Sequence, residues 1–208
     1  YEEALKVYDD LEERFGLVEE IAMQRQMIYL ELDKPEEALN EANKLIEINP
    51  EEIRYYGMKA EILDQTGKKA EARQLYVEML ELDPDNGLVL LALYEMAEED
   101  GKREDAENYL SSAFRSTDLG IDVKVNILLN LMTNPGESPE YLFKLSDDLV
   151  AAHPENAKAY AIRGDLYNNF NRREEARTQF QKAVEIDPNR PPIWQEILVT
   201  VVVLLHNH

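Results

Sequence analysis

Residues 157–188 read AKAYAIRGDLYNNFNRREEARTQFQKAVEIDP. With Ala157 as position 1, Tyr160, Gly164 and Tyr167 fall at positions 4, 8 and 11, and Ala176, Phe180 and Ala183 at 20, 24 and 27. Each set is spaced by three or four residues, which puts it on one face of a helix. The stretch therefore reads as two amphipathic helices joined by a turn. Gly164 allows close approach of the two helices, and Tyr160, Tyr167 and Phe180 fill the seam. Pro188, preceded by Asp187, marks where the second helix stops.

The same wording recurs along the chain. Pro50, Pro84, Asp118, Pro154 and Pro188 close successive segments at spacings of 34, 34, 36 and 34 residues. A fixed period of this length is the signature of an array of helical units and not of a globule with one active centre. The seven positions of the last copy resemble the pattern of the tetratricopeptide repeat (TPR) family: large residue, glycine, tyrosine, alanine, aromatic, alanine, proline. The resemblance implies an all-α fold, a right-handed α-solenoid (superhelix) of antiparallel helix pairs.

On this frame the copy ending at Pro84 carries Tyr56, Ala60, Leu63, Ala72, Tyr76 and Met79. The copy ending at Pro50 carries Ala22, Gln26, Tyr29, Ala38, Ala42 and Leu45, and the one ending at Asp118 carries Leu90, Tyr94, Ala97, Ala106, Leu110 and Ala113. Gln26 and Tyr94 replace the small residue, so those helix pairs are expected to splay or rotate. The copy ending at Pro154 is degenerate: TNPGESPEY lengthens its turn by about two residues, and Leu142, Ser146 and Leu149 form its second-helix set. Residues 1–16 read as the second helix of a truncated repeat, followed by repeats at 17–50, 51–84, 85–118, 119–154 and 155–188. Residues 189–208, with Trp194, read as the first helix of a further repeat. The whole is expected to be one solenoid domain, and, since it opens and closes inside repeats, a piece of a longer or processed protein.

With 43 acidic and 22 basic residues the net charge is −21, which disfavours nucleic-acid binding through a basic groove. Acid-rich solvent faces and acidic first turns account for the excess; the alternative is that part of it selects a basic partner. Chemistry is sparse. There is no cysteine, hence no thiolate nucleophile or sulfur-ligated zinc. Adjacent acids such as Glu98 and Glu99 point about 100° apart on a helix and do not converge as an acid and base would. DPDNG at 83–87 lacks calcium-loop spacing and reads as a turn. The terminal HNH lacks the setting of a metal-dependent nuclease. His153 precedes Pro154 at a helix end, where a cation suits the dipole. No catalytic residue, cofactor or metal is expected.

The family resemblance places ligand contacts on the first helices, at positions 2, 5, 9, 12 and 13. From these come the candidate partner-binding residues Met23, Met27, Arg54, Glu61, Leu91, Glu95, Lys158 and Asp165. Met23 and Met27 offer either an adaptable apolar contact or simple core filling; Tyr55 offers either a groove contact or a contact between repeats. The Lys and Asn that chaperone-binding TPR domains use to clamp a terminal carboxylate are missing from positions 5 and 9. The run ILVTVVVLL at 197–205 is nine residues long, against roughly twenty for a membrane span. It suggests self-association through an apolar helix at 193–205.

The implied function is a non-catalytic scaffold for a protein or peptide, without nucleic acid or a membrane span. The alternatives are a regulatory or docking segment of a larger enzyme or sensor, and a bacterial cell-envelope assembly. AHPENAKAYAIRGDLY resembles long bacterial TPR proteins of the envelope kind, and a cytoplasmic or envelope location stays open.

Overall fold

The structure is a computed structural model that describes residues 1–134 and 136–188. The expectations for Trp194, and for self-association through 193–205, lie outside the described residues. Eleven helices and no strand are found among the described residues. Packing divides the chain into two compact units, Tyr1–Pro84 and the part from Asp85 onward.

The first unit contains α1 (Glu2–Phe15), α2 (Glu19–Glu31), α3 (Pro35–Ile48), α4 (Ile53–Gln65) and α5 (Lys69–Leu82). The second contains α6 (Gly87–Glu99), α7 (Arg103–Arg115), α8 (Ile121–Thr133), α9 (Pro139–Ala152), α10 (Ala157–Asn169) and α11 (Arg173–Ile186). Turns of three residues join α2 to α3, α4 to α5, α6 to α7 and α10 to α11, so each pair is antiparallel; the α8 to α9 turn has five. Each unit is a short α-solenoid of such pairs.

The four short turns share one construction. Asp33, Gly67, Gly101 and Asn171 all stand at position 15 of the frame and adopt φ of 57°, 79°, 69° and 59°. Glycine and short polar residues tolerate this left-handed conformation best. The next residue then reaches back five: Lys34 N–H to Tyr29 C=O at 2.8 Å, Lys68 to Leu63 at 2.8 Å, Lys102 to Ala97 at 2.9 Å and Arg172 to Tyr167 at 2.8 Å. These bonds satisfy carbonyls that the ending helix leaves unpaired. Helix starts are capped by Asn86 on the Val89 N–H (3.1 Å), Ser138 on Tyr141 (3.2 Å) and Asn156 on Lys158 (3.0 Å).

The seam residues are buried as the frame demands. Ala38, Ala72, Ala106 and Ala176 at position 20 are fully enclosed. A Cβ added at Gly164 would lie 2.5 Å from the Phe180 ring, so only glycine fits beneath that side chain. Tyr55 belongs to the cluster of Ala22 and Leu45, which makes it a contact between repeats. Tyr56 and Tyr160, both at position 4, donate from their hydroxyls to the carbonyls of Pro50 (2.9 Å) and Pro154 (3.0 Å), tying each repeat to the one before.

Two buried charges were not legible from the frame. Arg25 on α2 pairs with Asp9 (3.2 Å) and Glu12 of α1 and with Glu41 of α3 (3.1 Å), and Lys44 joins Glu12 (3.1 Å) and Glu41 (3.3 Å). In the second unit Lys124, fully enclosed, donates to the carbonyls of Phe114 (3.1 Å) and Ser116 and to His153 Nε2 at 2.9 Å. His153 therefore does not serve as a cation at the end of α9. Burial, then the adjacent Lys124 charge, pushes its pKa down, and the imidazole accepts a hydrogen bond in its neutral form.

Candidate functional site

The sequence-derived binding residues are distributed unevenly. Met23 and Met27 on α2 and Glu61 on α4 line one cleft of the first unit, together with Leu30, Met58 and Gln65. Its volume is about 210 Å³. Met23, Met27 and Leu30 stand at positions 5, 9 and 12 of α2, spaced by four and three, and therefore share one face of that helix, while Glu61 stands at position 9 of α4. Met27 is 59% exposed although apolar, whereas Met23 is half-buried against the core. Gln65 donates to Glu61 at 3.2 Å, holding the carboxylate at the rim. The cleft thus has flexible apolar walls of thioether and leucine with an acidic edge, suited to an apolar side chain from outside.

Arg54 stands apart from this cleft, exposed and paired with Glu19 (3.3 Å) and Glu52 (3.0 Å). The remaining candidates belong to the second unit. Leu91 packs half-buried against its hydrophobic core, and Glu95 is exposed on α6. Lys158 on α10 pairs with Asp122 on α8, and Asp165 is half-buried on α10. Position 2 thereby links first helices of successive repeats through a salt bridge.

A second cleft, of about 450 Å³, went unread in the sequence: Phe143, Asp147, Tyr167, Phe170 and Arg172 line it between α9 and α10. The rings of Phe143 and Tyr167 are 4.8 Å apart, and the Arg172 guanidinium lies 4.8 Å from the Tyr167 ring and 5.2 Å from that of Phe143. Tyr167 thus packs against the seam, as its frame position implies, and also lines this cleft. Phe143 follows the frame residue Leu142, and the signal that could have found it is an aromatic just off the packed face.

A model of the tetratricopeptide repeat matches residues 27–52, 53–86 and 157–190. These three stretches are tetratricopeptide repeats. The TPR matches include α3 to α5 and α10 to α11, and pass over α6 to α9, where Tyr94 occupies the small-residue position and the turn is lengthened. Among solved structures, yeast Tom70 superposes with a TM-score of 0.55 and 17% identity, over 96% of this chain and 42% of that one. The APC/C hetero-tetramer Cut9-Hcn1 gives 0.51 and 14%, over 97% and 40%. YrrB, described as a TPR protein with an unusual peptide-binding site, gives 0.47 and 16%, over 90% and 96%. No curated protein sequence matches the chain. The TPR repeats support a protein-interaction scaffold with protein or peptide partners. No helix among the described residues is long and apolar enough to cross a membrane.

Proposed function

We propose that the chain is a non-catalytic scaffold that holds a polypeptide partner against the first helices, with the α2–α4 cleft receiving an apolar side chain of that partner. The observation that carries this reading is the cleft itself, where exposed Met27 meets Met23, Leu30 and Glu61. Methionine moulds to differing apolar shapes at little cost, so such a cleft tolerates variation in what it binds. A bound partner gains about 25 cal/mol for each Å² of apolar surface removed from water, offset by the cost of ordering it.

The test is selection of peptides from a displayed random library, followed by affinity measurements on Met27→Glu and on the unaltered chain. Enriched peptides should share an apolar anchor and lose at least roughly tenfold in affinity for Met27→Glu, since a buried unpaired carboxylate opposes an apolar anchor. Failure of any peptide to enrich, or equal affinity for both proteins, would overturn the reading. Met27 is largely exposed, so the substitution leaves the fold intact.

A further inference from the structure

Carboxylates and phenols from separate elements converge in the second unit around a cleft of about 200 Å³. Tyr94 and Glu98 come from α6, Arg103 and Glu107 from α7, Glu137 from the lengthened turn and Tyr141 from the first turn of α9. Arg103 donates to Glu107 at 2.8 Å and to Glu137 at 3.1 Å. The lining therefore sets three carboxylates against one guanidinium, and that guanidinium bridges two of them.

The second observation is the Tyr141 hydroxyl. Tyr141 is 8% exposed, and its hydroxyl has no hydrogen-bond partner among the described residues. Buried polar atoms are nearly always paired, and an orphan in a cleft is a place for a ligand's donor or acceptor. Burial first, and then the Glu107 charge, push the Tyr141 phenol above its ordinary range; burial and Glu98 do the same to Tyr94. Both phenols are protonated at neutral pH, and the field around them is negative.

We propose that this cleft receives the cationic end of a Lys or Arg side chain from a partner polypeptide, its N–H groups reaching Glu98 and the Tyr141 oxygen beside the Tyr94 ring. Charge selects a cation, and the whole chain at −21 draws one in. Size selects the source. The cleft holds several waters at about 30 Å³ each but falls short of the roughly 300 Å³ at which compact small-molecule sites begin. One side-chain end fits, and the rest of the binding surface must come from the polypeptide that carries it. The site exists because the chain departs from the TPR pattern: Tyr94 supplies bulk where the family has a small residue, and Glu137 lies in the extra turn. It is independent of the α2–α4 cleft, and no variant of one touches the other.

The experiment is an NMR titration of the full chain with a Gly/Ser peptide bearing a single Arg, the same peptide bearing citrulline, and free agmatine. The Arg peptide should shift the Tyr94 and Tyr141 ring signals saturably, the citrulline peptide should not, and agmatine should bind more weakly than the Arg peptide. Glu98→Gln should weaken the Arg peptide about tenfold, and Glu20→Gln, on the other unit, should leave it unchanged. Tyr141→Phe should weaken it severalfold while thermal stability holds or rises, a combination that a merely structural hydroxyl would not give. Equal binding of the citrulline peptide, equal loss in Glu98→Gln and Glu20→Gln, or tighter binding of agmatine than of the peptide would each overturn the proposal. Unaltered affinity in Tyr141→Phe would do so as well.

Discussion

The repeat of α10 and α11 and its neighbour of α8 and α9 solve one packing problem with opposite residues. In the first, position 8 is Gly164 beneath the Phe180 ring at position 24. In the second, Leu128 stands at position 8 and Ser146 takes the place of the aromatic, and both are fully enclosed. Bulk has moved from one helix to the other while the seam stays filled, as close packing requires. Position 4 shows the same exchange. Tyr160 reaches back to the Pro154 carbonyl, and Lys124 reaches back to the carbonyls of Phe114 and Ser116. What these two repeats share is a filled seam and a donor aimed at the preceding repeat, which Tyr56 also supplies while Ala22 and Leu90 at the same position do not; residue identity is secondary.

The largest effect should come from removing the bulk that Gly164 accommodates. Phe180→Ala should cost about 3–5 kcal/mol in urea unfolding, because no larger residue at position 8 fills the void. A loss below roughly 1 kcal/mol would mean that the seam does not depend on this ring.

Lys124 gives the next effect, through pH. Burial holds its pKa near about 8, against 10.5 for the free side chain. Between these values the unfolded chain binds more protons than the folded one, so stability rises with pH through the window. The full span is worth roughly 3 kcal/mol, at about 1.4 kcal/mol for each unit. Stability measured from pH 8 to about 9.5, below the range where Tyr94 and Tyr141 add an opposing slope, should climb in the unaltered chain and stay flatter in Lys124→Met. Equal slopes would show that the ammonium is not desolvated. The smallest effect is expected from Tyr160→Phe, which removes one hydroxyl from a partly exposed carbonyl and should cost about 1 kcal/mol or less.

The fold was legible because its determinants repeat. A residue pattern seen at positions 20 and 27 of four copies, and two residues later in the copy with the lengthened turn, specifies the inner face of every second helix even where single positions drift. The α2–α4 cleft was partly legible, since Met23 and Met27 lie four apart and Glu61 occupies the same frame position as Met27. Leu91 followed from the same frame, yet it packs against a core, because the frame gives direction and not depth. The clefts around Tyr141 and Phe143 were not legible. Tyr94 and Tyr141 are 47 residues apart in different repeats, and no spacing within one repeat signals that they line one cleft. Lys124 and Arg25 escaped for a related reason: a charge at a core position is silent until its carbonyls or carboxylates are located.

One feature of the first unit reaches beyond packing. α1 buries no residue of its own, and it meets α2 and α3 through Asp9 and Glu12 on Arg25 and Lys44. Asp9 and Lys44 are open enough to solvent for counterions to compete with them. Leu5, Tyr8 and Leu11 of the same helix are half-buried. Salt in the solvent therefore loosens the polar part of the α1 contact and leaves its apolar part, so ionic strength tunes how firmly this helix is held without altering a single covalent bond.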